Sequence, residues 1–532
     1  MNESVNNNMK EKKNFSDRLK QGTKKQWIKF SIISVLVLLF VVWTGYWGVL
    51  LLIPLFFDSY ILKYIPWSFW KKSKNKSFRT FMEWADAIGF ALVAVWVINT
   101  FFFQNYQIPS SSLEKSLLVG DFLFVSKMTY GTRSPMTPLS FPLAQHTLPV
   151  FDTKSYLDKP QVKYQRFSTF GETNIKRGDI VVFNFPAGDT VALNQQAQDF
   201  YSLAKVNPNG SLGVRNDKYQ YGEIVYRPVD RRENYVKRCM GLPGETIELR
   251  DDDVYINGDK VANPENMQLK YYIQTDGTQI SEKIFEELGI SKEDYMITDQ
   301  TTGQESPFYF DTRLIPYHNQ YQTFPSNQYT FGVADSLRLE VLGFVKRSEE
   351  WGISYCLPLT SKMVNELETK PFVLKVVKVK EYVNEYPIGT TKKIDYPFYY
   401  PIDFSTKWTR DTYGPLWIPK KGSTITFDKD VDFKAAAYER CIKNYEGNEF
   451  AYRDGKVYIN GQQADSYTFK FDYYFMMGDN RHNSADSRSW GFVPEDHIVG
   501  SPLFIWLSLD KDKGWFDGKI RWKRIFTSAK IK

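Results

Sequence analysis

A serine hydroxyl attacks at neutral pH only beside a base, and one serine cluster in this chain stands where a nucleophile would be informative. Gln107-Ile108-Pro109-Ser110-Ser111-Ser112 ends nine residues beyond an apolar run that closes at Phe101-Phe102-Phe103. A serine turn held at a membrane surface points to a substrate that also lies in the membrane. Histidine is the usual base, and there are four, His146, His318, His482 and His497. A Ser-His-Asp site on Ser112 is conceivable, but no G-x-S-x-G elbow supports it. The other solution is a neutral lysine, whose ammonium form is disfavoured by burial among apolar groups.

Lys237 suits that second solution. In Tyr235-Val236-Lys237-Arg238-Cys239-Met240, strand alternation puts Tyr235, Lys237 and Cys239 on one face and Val236, Arg238 and Met240 on the other. A lysine between tyrosine and cysteine, followed by Gly241-Leu242-Pro243-Gly244, reads as a semi-buried amine. A solvated edge lysine is the ordinary alternative. A third polar cluster runs from Gly478 to Gly491 behind the apolar Tyr474-Phe475-Met476-Met477. So dense a polar loop must find hydrogen bonds for its groups. The plain reading is a solvated turn in which Asp486 and Arg488 pair for structure.

The elements that would carry these residues begin with membrane segments. Ile28 to Leu62 is apolar for longer than the roughly 20 residues one crossing needs, with Trp43-Thr44-Gly45-Tyr46-Trp47 near its middle. Glycine loosens a helix, and Trp and Tyr prefer the interface. Two short helices, Ile28–Trp43 and Trp47–Leu62, joined by a tight turn fit this pattern; one long tilted helix is the alternative. Trp84–Phe103 reads as a further span. Lys10, Lys12, Lys13, Arg18, Lys20, Lys24, Lys25 and Lys29 precede or open the first run, and Lys71, Lys72, Lys74, Lys76 and Arg79 precede the last. The positive-inside rule makes both basic stretches cytoplasmic, which favours the hairpin and puts everything after Phe103 outside. No removed signal peptide is read.

The net charge of +7 is thus a matter of membrane topology. No basic stripe with interleaved aromatics suggests nucleic acid. At 532 residues and 17% aromatic content the chain can bury a large core. Cys239, Cys356 and Cys441 show no C-x-x-C spacing, which argues against structural zinc, and their odd number argues against a fully paired disulfide framework.

Beyond Phe103 the chain reads as all-β. Asp121–Ser126, Asp179–Phe185, Tyr235–Met240 and Val373–Val379 alternate as strands, with helical inserts indicated around Ser281–Asp294 and Val431–Asn444. An internal echo joins Lys176–Asn184 to Lys420–Asp428, and Asp253–Val261 to Lys456–Ala464. Two ordinary hairpins with Asn-Gly turns and a duplicated β-module explain it equally. The layout is a basic cytoplasmic arm 1–27, a transmembrane hairpin or one long helix 28–62, a cytoplasmic loop 63–83, a transmembrane helix 84–103, a first catalytic part 104–262, an inserted region 263–419, a second catalytic part 420–510 and a tail 511–532.

Four blocks in this order resemble the type I signal peptidases, the membrane-bound Ser/Lys leader peptidases. They are Pro109–Leu113 with Gly120-Asp121-Phe122, Arg177–Phe183, Val236–Glu245, and Met477–Arg488 with Trp490–Pro494 behind it. The last two are long and specific, and the region from about 263 to 419 is outside them. The resemblance implies a mainly β exported catalytic domain of antiparallel sheets, with N-terminal transmembrane helices and a large inserted β-rich region. It also implies the bacterial cytoplasmic (inner) membrane, several crossings, and a catalytic domain on the outer side. Ser112 aligns with the nucleophile and Lys237 with the general base. Ser110 aligns with the hydroxyl that joins the Ser112 N–H in the oxyanion hole, and Ser484 with the serine that orients the amine. Asp486 and Arg488 align with a supporting pair.

Four departures stand out. Leu113 and Lys115 replace the usual Met and Pro, Ser111 replaces a Gly, and His482 stands where Asp is common. Leu keeps apolar volume, whereas Lys115 removes a backbone restraint and is expected to loosen the serine loop.

The reading is a membrane-embedded serine endopeptidase that removes signal peptides from exported precursors. The lipid bilayer is a further partner, Phe122, Phe124, Met128 and Tyr130 are candidates for dipping into the interface or for core packing, and no metal or cofactor is implied. Its rivals are a protease with His482 as base for Ser484 or Ser487, a catalytically silent scaffold binding partners through the insert, and a self-cleaving repressor-like relative.

Overall fold

The computed structural model describes residues 15–44, 47–65, 69–148, 153–167, 174–196, 198–298, 305–307, 309–311, 343–347, 351–380, 399–401 and 406–530. The chain divides into two compact units, residues 1–101 with 134–165, and residues 102–133 with 166–532.

In the first unit Lys24–Thr44 is a helix of 21 residues, enough at 1.5 Å per residue to match a hydrocarbon layer of about 30 Å. Trp47–Leu62 follows as a shorter apolar helix of mixed winding. The chain doubles back between the two. Trp27 and Phe30 lie against Phe57, with ring centroids 6.1 and 5.2 Å away, and Arg18 Nη1 donates to the carbonyls of Leu62 and Lys63, at 3.0 Å each. Gly45 and Tyr46, and residues 1–14 of the basic arm, lie outside the described residues. Lys76–Phe101 is a second helix long and apolar enough to cross a membrane, and it starts at Lys76 where the sequence suggests Trp84.

The second unit is built on one antiparallel sheet. Its strands are β1 (Phe103–Gln107), β2 (Asp121–Ser126), β3 (Ile180–Asn184), β4 (Asn234–Gly241), β5 (Tyr473–Met477), β6 (Val493–Pro494) and β7 (Ile498–Ser508). The spatial order is β1-β2-β7-β3-β4-β5-β6. Alternation sorts side chains to two cores. Ile180 and Val182 of β3 join Leu113, Leu117 and Leu123 on one side, while Val181 and Phe183 join Tyr130, Cys239 and Trp490 on the other. Strand β4 lies between β3 and β5, with Lys237 opposite Val181. A central position is what buries this lysine; an edge strand would leave it in water.

The two halves of the internal echo form matching hairpins. Arg250 pairs with Asp253 and Ile247 with Ile256; likewise Arg453 pairs with Lys456 and Phe450 with Ile459. Asn257-Gly258 and Asn460-Gly461 both turn through positive φ, the requirement that makes Asn-Gly the favoured hairpin turn. The side chains of Asn257 and Asn460 accept from the N–H of Thr246 and Glu449, at 2.9 Å in each case. The preceding strands differ: β3 is central in the large sheet, whereas Thr424–Thr426 pairs only with Ser466–Thr468.

The inserted region has its own sheet, in the order Phe310–Asp311, Ile353–Leu359, Leu269–Thr275, Val373–Lys378. Helices Glu282–Leu288 and Ser361–Glu368 contribute Phe285 and Leu367 to a core with Ile273, Tyr355 and Leu357. Most of its residues from 299 to 342 and 381 to 398 lie outside the described ones.

The unit is less uniformly β than the sequence suggests. Helices Phe200–Val206, Gly210–Asn216 and Lys218–Tyr221 separate β3 from β4. Helices this short contain too few turns to show a 3.6-residue period, and the Asp199 and Asp217 side chains that cap two of them carry the only local signal. Tyr130 does not face outward; it is buried, and its hydroxyl donates to Asp179 at 3.0 Å. Phe122, Phe124 and Met128 are half-buried. The three cysteines are free.

Candidate active site

Ser112 sits in a single helical turn, Ser111–Leu113, that follows β1. Leu113 and Leu117 plug this turn into the apolar core beneath it, and the N–H of Ile108 donates to the Asp121 carbonyl at 2.9 Å, fixing the approach from β1. The apolar residues flanking the serines thus set where the hydroxyl points. Lys237 Nζ lies 2.5 Å from Ser112 Oγ. The serine retains 8% exposure and the lysine 4%. Burial pushes the Lys237 amine down to about 8; Asp486 and Asp479 pull it back up and Arg488 lowers it further. Its neutral form, the one able to take a proton, is therefore reachable near neutral pH.

The polar loop after β5 braces both residues. Arg238, next to Lys237 but on the opposite face, grips Asp479 through Nε to Oδ1 at 2.8 Å and Nη2 to Oδ2 at 2.7 Å. The Ser116 hydroxyl donates to the same carboxylate at 2.6 Å. Asn480 N–H donates to the Ser112 carbonyl at 3.1 Å, and its side-chain amide to the Ser111 carbonyl at 3.3 Å. Asn483 donates to Ser111 Oγ at 3.2 Å. The loop is not the solvated turn that its composition allows: Asp486 and Arg488 are both buried and pair at 2.8 Å. Burial alone would raise the Asp486 carboxyl, but Arg488 and the Gly478 N–H hold it below its ordinary value.

Of the residues singled out in the sequence, Ser112 and Lys237 come together. Asp486 and Arg488 brace the loop behind them. Ser110 lies two residues before Ser112 in extended backbone with its side chain exposed. Ser484 Oγ is beside Gly478, where a Cβ would lie 2.3 Å from it and 2.6 Å from the Ser112 carbonyl oxygen, and it makes no hydrogen bond. Asp479, Asn480, Asn483 and Ser116 had no separate role in the sequence; the density of polar side chains in 478–486 was the signal for the first three, and Ser116 had none.

Lys115, expected to loosen the serine loop, has its own side chain anchored. Its φ is +69°, outside the value a proline ring imposes, and Nζ donates to the carbonyls of Leu288 at 3.0 Å and Gly289 at 2.5 Å.

His482 faces away from the serines named with it. Its Nδ1 accepts from the Lys270 N–H at 3.0 Å, which leaves Nε2 as the protonated nitrogen, 2.8 Å from Asp411 Oδ1. Ser487 Oγ instead accepts from the Met476 N–H. Asp252, Asp411 and His482 bring ligand atoms within 4.8 Å of one another. Asp252 is ion-paired there, with Lys378 Nζ 3.1 Å from its Oδ2 and His482 Nε2 3.4 Å from its Oδ1.

A buried amine touching a buried hydroxyl, with no histidine in the contact, is the arrangement of a Ser/Lys hydrolase. The model of the family described as signal peptidase, peptidase S26 matches residues 81–302 and 465–507. Signal peptidase I of Buchnera aphidicola is 22% identical over 460 residues, covering 86% of this chain and 83% of that protein. Signal peptidase I of Haemophilus influenzae is 44% identical over 70 residues, 13% of this chain and 20% of its own. Signal peptidase I T of Bacillus subtilis is 27% identical over 194 residues, 36% and 58% of the two chains. The chain belongs to the S26 signal peptidase family, and it is a serine endopeptidase acting on precursors that bear signal peptides.

Proposed function

We propose that Ser112 is the nucleophile of this signal peptidase and Lys237 its general base. The observation that carries the reading is the 2.5 Å contact between a buried amine and a buried hydroxyl. With Nζ neutral, the Ser112 O–H donates its proton to the amine as Oγ bonds to the carbonyl carbon at the end of the signal peptide. The tetrahedral oxyanion is met by the Ser112 N–H and the Ser110 hydroxyl. As the C–N bond breaks, the ammonium returns the proton to the departing amine of the mature protein, leaving an ester on Ser112. A water then gives its proton to Nζ and attacks the ester; as the second tetrahedral species collapses, the ammonium passes that proton to Ser112 Oγ, which releases the signal peptide and restores both residues. Ser484 Oγ, which has no partner, is the hydroxyl available to orient the amine. Asp486 and Arg488 keep the loop in place.

The same reading includes the bilayer. The chain crosses it with its basic segments cytoplasmic and its catalytic part on the outer side of the inner membrane, and the anchor raises the local concentration of tethered precursors. Exposed Trp506, Trp515, Phe516, Trp522 and Phe526 support contact of the second unit with the lipid interface, where such rings prefer to lie.

The test is processing of a labelled precursor by full-length Ser112→Ala and Lys237→Met in membranes. Both lose turnover while still binding precursor. Full-rate leader removal by either variant overturns the assignment. Reporters fused near Met1 and near Asn75 report the same, cytoplasmic side; opposite sides overturn the topology.

A further inference from the structure

The inserted region meets the catalytic loops at both of its ends. Near its start, the Gln268 N–H donates to the Asp479 carbonyl at 2.9 Å, and the Arg481 N–H to the Gln268 carbonyl at 2.9 Å. Lys270 N–H holds His482 Nδ1. Near its end, Arg410 donates to the His482 carbonyl and Asp411 accepts from the His482 ring. The loop so held is the one whose Asn480 grips the backbone of Ser111 and Ser112.

A second, separate link runs directly to the serine turn. Lys115 is three residues past Ser112, and its ammonium caps the C-terminus of helix Glu282–Leu288 through the Leu288 and Gly289 carbonyls. Those carbonyls have no partner within the helix and carry its partial negative charge. The helix is itself immobilised, since Phe285 is fully buried and stacks on Tyr295 with centroids 4.1 Å apart. A lysine at φ +69° is a disfavoured conformation that persists only where the surroundings hold it.

We propose that the inserted region is an intramolecular clamp that holds the Ser112 hydroxyl against Lys237, with Lys115 as the positioning residue on the serine side. The proposal rests on the assignment of Ser112 and Lys237 above. It gives the insert a task within the reaction: a three-residue turn has little internal structure to keep a hydroxyl within proton-transfer distance, and the insert supplies a rigid second support.

The experiment compares full-length Lys115→Met, Lys115→Gly and Lys115→Arg on a labelled precursor in proteoliposomes. Met removes the ammonium and keeps the backbone strain; Gly removes both; Arg keeps a cation that can reach the two carbonyls. Met and Gly each lower kcat by about tenfold or more, because small misplacement of a reacting group is costly, while KM changes less than about twofold. Arg restores most of the lost kcat. Amide hydrogen exchange at Glu114, Ser116 and Leu117 accelerates in Met and Gly, with the melting transition retained. Wild-type kcat in either the Met or the Gly variant overturns the clamp, and the Gly variant carries the comparison if Met impairs folding. If Ser112→Ala itself still processes precursor, the site assignment fails; if it is dead while Lys115→Gly is fully active, only the clamp fails.

Discussion

Asn480 reaches the backbone of Ser112: its N–H donates to the serine carbonyl at 3.1 Å, across 368 positions of sequence. The main chain of Ser112 is thus tied to the loop after β5, while its hydroxyl faces the Lys237 amine on β4. Three distant segments share one small volume, and each prediction below breaks or tunes one of their joints.

Burial holds the amine of Lys237 at about 8, and as the proposed base it works only when unprotonated. For the full-length enzyme, kcat/KM climbs by about tenfold per pH unit below that value and levels above it. A pH–rate profile with a saturating precursor series checks this. A profile flat from pH 6 to 9 contradicts a lysine base.

The same burial costs stability. In the unfolded chain the amine titrates near 10.5, in the folded chain at about 8. Between these values the unfolded state binds the extra proton, so stability rises with pH through that window, and the cost is complete below it. Lys237→Met removes a penalty of up to about 3 kcal/mol at pH 7. The inactive variant is expected to unfold at a higher denaturant concentration than the parent at pH 7, with the gap narrowing by pH 10.

Gly478→Ala places a methyl 2.3 Å from Ser484 Oγ and 2.6 Å from the Ser112 carbonyl oxygen. The Ser484 hydroxyl can rotate aside, but Ser484 Cβ, also 2.6 Å away, and the Ser112 backbone oxygen can move only with the chain that carries them. A fall in kcat of about a hundredfold or more is expected, measured by single-turnover processing, with precursor binding kept.

Arg238→Met strands the buried Asp479 carboxylate, which Arg238 and Ser116 now satisfy. Breaking one side of such a pair costs about 3–5 kcal/mol. Arg238→Lys does not recover it, because an ammonium cannot replace two parallel N–H donors. Equilibrium unfolding of the two variants and the parent separates these outcomes.

The meeting of Ser112 and Lys237 was legible through the blocks that resemble the type I signal peptidases; the serine-rich turn and the strand alternation of Tyr235, Lys237 and Cys239 allowed it but, taken alone, also allowed a solvated lysine. The matching hairpins were legible from local pattern, since Asn-Gly fixes its own turn. What the sequence hid are contacts with no local signature. A lysine bonded to carbonyls 173 and 174 positions away looks like a lost proline. Tyr130 looks like one more aromatic near a membrane until its hydroxyl is seen on Asp179. The short helices between β3 and β4 are decided by capping and tertiary packing, and neither produces a visible period.

The twin hairpins match in build but not in surroundings. Residues 247–260 and 450–463 share pairing, turn and the asparagine lock at their base, yet one follows directly from the strand bearing the reactive amine and the other follows a helix with no counterpart to it. The exposed tip of the second hairpin, Asp454-Gly455, is expected to accept foreign sequence, such as an epitope or a fluorophore tag, with precursor processing retained.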